Sequence, residues 1–225
     1  MKSYTTSAAF DAASIRRTDI ASRISRTGAA TFVLLLVILH LIRPDLDPSW
    51  RFISEYANGP HGWMMVAAFI ALATSFVSLF VALRSQVRTI AGRIGLAGLL
   101  VSATGLIIAA IFPTDPVTTP PDAMTPSGKL HALGGALGIA MPVATGLLSW
   151  NLARNIAWRR ARTSMIVTAV LALIATMAFI AAIALMAPAN GVFGPEVRVA
   201  WFGRLEIVAY SAWLMVVAKE AAYRA

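Results

Sequence analysis

The residues able to do chemistry in this sequence are few and unevenly placed. There are three histidines among 225 residues, and each stands near acids or hydroxyls. His40 precedes Arg43 and Asp45, and His61 follows the run Ser54-Glu55-Tyr56. His131 follows Asp115 across a proline-rich stretch, and Arg204 and Glu206 interrupt an apolar stretch near the C-terminus. Neutral imidazole together with carboxylates is zinc-ligand chemistry, which makes His40, Asp115 and His131 the candidate metal ligands and zinc the candidate ion. The spacing is not that of a metal motif, for there is neither His-x-x-x-His nor His-Glu-x-x-His. Ser54, His131 and Asp115 are also the residue types of a nucleophile, a base and its orienting acid. Ser54 is not in a Gly-x-Ser-x-Gly elbow, and a serine before Glu-Tyr reads equally as the start of a short helix. The competing reading is that the histidines cap helices or bond to loop carbonyls. Cysteine is absent, which excludes disulfides, thiolate metal sites and a cysteine nucleophile.

Arg204 and Glu206 are the sharpest anomaly. Charges inside an apolar span are costly and face a partner or a wet cavity. Two residues apart on a helix they point in different directions, so each needs its own partner. Asp115, Glu55 and Asp45 are the acids available to Arg204, and His131, His40 and Tyr56 are the groups available to Glu206. Two outcomes are open. One is an ion-pair lock between the last helix and the loops, and the other is a polar pocket for an anionic or polar ligand.

The elements that must position these residues are membrane spans. Hydrophobic residues make up 58% of the chain and charged residues 13%, about half the share usual in soluble domains. Six stretches are long and apolar enough to cross a bilayer as helices, at roughly 25–42, 63–83, 94–112, 130–150, 164–187 and 199–217. The expected fold is therefore all-α, a six-helix transmembrane domain over residues 25–217 with structured outer loops. A basic tail, 1–24, precedes it and a short tail, 218–225, follows. The first span is short and is not followed by a small-x-small cleavage site, so it reads as a retained helix. Residues 7–24, with Phe10, Ile15, Ile20 and Ile24 among arginines, read either as a frayed tail or as an interfacial amphipathic helix. Pro142 should kink the fourth span. Gly134-x-x-x-Gly138 there, with Gly95, Gly98 and Gly105 on the third, lets helices approach closely.

Charge decides the threading. The tail, the second and fourth connections and the C-terminus hold 14 of the 19 basic residues, the other side holds Arg43, Arg51, Lys129 and Arg198, and Arg204 lies within the last span. By the positive-inside rule both termini are cytoplasmic. Trp63 and Trp201 then fall at outer helix ends, and Trp150 and Trp213 at or near inner ends, as an interfacial aromatic belt. The net charge of +9 follows from topology and attraction to anionic lipid headgroups, and the reading includes no nucleic acid partner.

The outer connections carry the distinctive sequence. HLIRPDLDP (residues 40–48), ISEYANGPHGW (53–63), IFPTDP (111–116) and GKLH (128–131) resemble signature pieces of a bacterial multi-pass membrane family, the one named for domain of unknown function 998. The resemblance covers residues 30–150 by motif and the later spans by hydropathy. It implies a six-helix protein and no activity. Together with the arginine bias it implies a bacterial inner membrane.

Three functions are consistent with these residues. The preferred one is binding or structural, with the His/Asp/Glu/Arg cluster at the outer face holding a lipid headgroup or a small polar ligand. The second is a membrane-embedded, metal-dependent or acid–base hydrolase acting on an outer-leaflet lipid through Glu55, Asp115 and His131. The third is a small-solute transporter, weakened by the lack of ionisable residues at mid-membrane.

Overall fold

The computed structural model describes residues 2–223, with side chains described from Ile15 onward. Lys2, Phe10, Asp11 and Arg224, which enter the reading of the tails, have side chains outside the described residues. Seven α-helices account for the fold: α1 (Lys2–Ile42), α2 (Gly62–Leu83), α3 (Ile90–Ile111), α4 (Pro126–Leu137), α5 (Ala140–Ala153), α6 (Arg162–Met186) and α7 (Ala200–Ala222). No strand occurs among the described residues. Six helical stretches are long and apolar enough to cross a membrane, with α4 and α5 together making one of them. The molecule is a multi-pass membrane protein, as the hydropathy of the sequence predicts.

Two elements differ from the sequence reading, each for a physical reason. The first is the fourth span, which is two helices and not one bent helix. Proline has no N–H, and its ring clashes with the carbonyl four residues back. For Pro142 that residue is Gly138, the C-cap of α4. The backbone answers by tightening: the amides of Gly138 and Met141 bond to the carbonyls of Gly135 and Gly138, three residues back, at 2.9 Å each. The second is the basic tail. It continues the first helix, for α1 runs unbroken from Lys2 to Ile42. Its charge-free stretch begins at Thr27, after Arg23 and Arg26.

The helices form a ring in the order α1, α2, α3, α5, α6, α7, with α7 closing onto α1. Lipid tails are as apolar as leucine, so close packing and hydrogen bonds hold such helices together in the absence of a hydrophobic drive. Gly28 lets α1 meet the backbone of α2, where a Cβ would stand 3.2 Å from Ser75. Beside it the Ser75 hydroxyl donates to the Ser25 carbonyl at 2.7 Å. Gly134 meets Gly105 in the same way, and a Cβ on Gly134 would stand 2.7 Å from the Gly105 carbonyl oxygen. The glycine pattern of the fourth span thus serves packing inside the bundle.

Trp63, Trp150 and Trp201 are exposed near helix ends, as a belt requires, but Trp213 is fully buried. Its indole N–H donates to the Ser149 hydroxyl at 2.9 Å, tying α7 to α5. Helix-end position alone does not reveal which face a tryptophan occupies.

α4 departs from the ring. It packs on α3, whereas α5 continues on to α6. At the end of the bundle that carries the long loops, the fourth span therefore leans away from α6 and α7.

Candidate functional site

The loop 43–62 folds back over the ends of α1, α2 and α7, and buried charges hold it there. Arg43 grips its own loop. It donates through Nε and Nη2 to Asp45 at 2.9 and 2.7 Å, and through Nη1 to the carbonyls of Asn58 and Pro60 at 2.8 and 2.9 Å. The Arg43 guanidinium holds the exposed Asp45 carboxyl below its ordinary range. The Ser49 amide does the same for Asp47. Glu55 joins two loops. Its carboxylate accepts from the amides of Phe52 at 2.9 Å and Val117 at 3.0 Å, and pairs with Arg51 at 3.0 Å. The Glu55–Phe52 bond is half of a capping box for the short 3-10 turn Ile53–Ala57, so Phe52, not Ser54, is the N-cap. The chain then reverses into α2. His61 takes a left-handed backbone (φ 62°), and Gly62 lies against the Ala57 carbonyl where a Cβ would collide. That left-handed cap is the structural role of the third histidine.

Arg204 is 5% exposed and stands beneath this loop. Its Nε donates to His40 Nε2 at 2.7 Å, and its Nη1 donates to the carbonyls of Arg51 at 2.8 Å and Ala200 at 3.2 Å. The guanidinium also lies 5.9 Å from the Tyr56 ring centre and 5.8 Å from that of Trp201. His40 can accept from Arg204 because its Nδ1 bonds to the Leu36 carbonyl at 2.7 Å. A ring nitrogen facing a carbonyl must carry the proton, which leaves Nε2 as the acceptor and the ring neutral. Tyr56 is fully buried beside His40, with ring centres 5.1 Å apart. Burial pushes the Tyr56 hydroxyl above its ordinary range. The partner of Arg204 is thus a histidine and backbone carbonyls, not Asp115, Glu55 or Asp45. His40 and the carbonyls take Nε and Nη1 while the buried Nη2 has no partner, and no hydropathy pattern reveals such an arrangement.

Asp115 and His131 are used elsewhere. Asp115 accepts from the amide and hydroxyl of Thr125 at 2.8 and 2.9 Å. Thr125 in turn caps α4 by accepting from the Gly128 amide at 3.0 Å. His131 Nδ1 bonds to the Phe112 carbonyl at 2.8 Å. Ser54, His131 and Asp115 are therefore not a triad, since the acid caps a helix and does not orient the imidazole. His40, Asp115 and His131 are not a metal site either. No group of three or more His, Cys, Asp or Glu side chains that could hold a metal ion occurs among the described residues.

Glu206 leaves this lattice and faces α6. It accepts from the Thr176 hydroxyl at 2.9 Å, and Thr176 lies 2.6 Å from the Tyr210 hydroxyl. His131, His40 and Tyr56 are not its partners. Thr176 and Tyr210 are the polar neighbours of Glu206 that the sequence reading does not pick out. The signal for Tyr210 was its place four residues after Glu206, on the same helix face. Thr176 gave none: its hydroxyl also lies 3.1 Å from the Ala172 carbonyl, the ordinary back-bond of a helical threonine, so its one proton is shared between that oxygen and Glu206.

Below the lattice lies a cavity of about 420 Å³. Phe52, Ile53 and Ser54 roof it, and Phe69, Leu72, Leu106, Met141, Phe179 and Ile207 are among its apolar walls. His131, Ser102, Thr176, Glu206 and Tyr210 are its polar points. Ser102 is buried, and its hydroxyl has no hydrogen-bond partner. The cavity opens sideways where α4 leans away, for Ile139 and Ile180 both line it and are exposed. Its volume falls within the range of small-molecule sites, about 300–1,000 Å³.

The profile of a family described as a protein of unknown function (DUF998) matches residues 27–219. No curated protein matches, and no solved structure matches.

Proposed function

The chain belongs to this family of unknown function, and we propose that it is a non-catalytic membrane protein that binds the apolar chain of an amphiphile in its side-opening cavity. The single observation that carries this reading is the cavity itself: about 420 Å³, mostly apolar, with Ile139 and Ile180 exposed at its mouth. A lipid chain enters from the bilayer without crossing water.

The loop lattice supports a binding rather than a hydrolytic role. Glu55, Asp115, His40 and Arg204 each hold loops or helix ends through short bonds. The arginine bias supports an orientation with both termini cytoplasmic, the loop end at the outer face and a bacterial inner membrane as the home.

Orientation is tested with the natural absence of cysteine. Thr118→Cys should react with an impermeant maleimide in intact cells, and Arg159→Cys only after permeabilisation. The binding reading is tested by native mass spectrometry of protein released gently from detergent. The wild type should carry a lipid-mass adduct at one copy per chain. Gly135→Leu and Ser102→Leu should lose it while remaining folded. Gly135 suits this because a Cβ there meets nothing within 4 Å. Equal adducts in all three proteins would refute the reading.

A further inference from the structure

An apolar cavity inside a bilayer has no hydrophobic preference for its ligand, because lipid tails outside it are just as apolar. Selection must come from the polar points in the walls. Resting on the reading of the cavity as a binding site, we infer that its ligand is a hydrophobic organic cation, a protonated amine or onium group carrying apolar bulk, held by Glu206.

Glu206 takes part in none of the ion pairs Arg23–Asp19, Arg43–Asp45 and Arg51–Glu55. Arg204, two residues earlier, points away into the loop lattice and is bonded to His40 and Arg51. Glu206 therefore lines the cavity as a carboxyl group outside those ion pairs. Its neighbours strengthen it as an acceptor. The Thr176 hydroxyl donates to Oε1 and lies within reach of the Tyr210 hydroxyl, so the line Tyr210–Thr176–Glu206 can run donor to acceptor toward the carboxylate. No bond to Oε2 is found among the described residues. An isolated carboxylate in a low-dielectric site is costly, and a cation entering beside it removes that cost.

The remaining walls fit such a ligand. Phe69, Phe76, Phe179 and Tyr210 line the same space, and their ring faces attract a desolvated cation. The unpartnered Ser102 hydroxyl offers a lone pair from α3. No described lysine or arginine lines the cavity. An anionic ligand would meet the ionised Glu206 with like charge, and a neutral one gains nothing from the charge and leaves the carboxyl to take up a proton.

The experiment is equilibrium dialysis of labelled tetraphenylphosphonium against the full-length, detergent-solubilised protein. Triphenylphosphine oxide serves as a neutral probe with similar rings. The wild type should bind the cation in preference to the neutral probe. Glu206→Gln keeps an acceptor for Thr176 and removes only the charge. It should weaken the cation at least roughly tenfold, equivalent to about 1.4 kcal/mol, and change the neutral probe by less than about twofold. Glu206→Asp should restore part of the preference. Ser102→Leu should lose both probes. If both probes bind the wild type equally, or Glu206→Gln binds the cation as the wild type does, the inference falls while the cavity reading stands. If neither probe binds and the wild type carries no lipid adduct, both fall.

Discussion

Arg204→Ala is the substitution that most severely tests the loop lattice. The side chain is 5% exposed and makes three hydrogen bonds, to His40 Nε2, the Arg51 carbonyl and the Ala200 carbonyl. Bonds to a charged group contribute about 1.5–3 kcal/mol each in isolation, but the three share one guanidinium and do not add. Truncation also removes the desolvation cost of the arginine, which offsets part of the loss. Against that, it strands His40 Nε2 and the Arg51 carbonyl under the loop at about 1–3 kcal/mol each. The net expectation is a loss of about 3–5 kcal/mol, the range for breaking a buried charged interaction. For a chain of this size that is a fall in melting temperature of about 6–20 °C. Thermal unfolding of detergent-solubilised protein, followed by tryptophan fluorescence, measures it. Arg159→Ala is the control, exposed at the arginine-rich end, and should shift by less than about 2 °C. Equal tolerance of the two substitutions would refute the claim that Arg204 pins the last helix to the loop.

Glu55→Ala should cost about 2–4 kcal/mol, since it strands the amides of Phe52 and Val117. Limited proteolysis should then cut the second loop, residues 113–125, faster than in the wild type. Gly134→Leu should cost about 2 kcal/mol or more, because its Cβ would press on the Gly105 carbonyl oxygen and force α4 off α3. Thermal unfolding reads that loss, and Gly135→Leu one residue on should be neutral. Asp45 sets the pH behaviour of the first loop. Its carboxyl titrates below its ordinary value because Arg43 binds the ionised form. The contribution is therefore complete above about pH 4 and is lost as pH falls through the lowered value. Amide exchange in the 43–62 loop should quicken in that window, and Asp45→Asn should abolish the pH step.

Much of this fold was legible in the sequence, and the reasons are particular. Six apolar stretches announced six spans because a bilayer leaves few ways to satisfy a backbone other than a helix. The four motifs at the loop end carried the family resemblance, and the matched region extends through the last span to residue 219. The split of the fourth span was half visible: Pro142 marked it, while the break itself falls at Gly138, four residues back. Trp213 misled because position along a helix says nothing of azimuth. In the site, Arg204 and Glu206 stood out by charge, and their divergence followed from their spacing. Their partners did not, for Arg204 found carbonyls that have no signature and Glu206 found Thr176, a residue ordinary in any helix. The cavity was invisible because a void depends on how seven helices lean, and above all on α4 leaving the ring.

The most direct measurement is an experimental density map of the full-length protein in a lipid nanodisc. The account predicts elongated density entering between Ile139 and Ile180 and ending near Glu206. A cavity closed by α4 resting on α6, or filled by its own side chains with no added density, would contradict it.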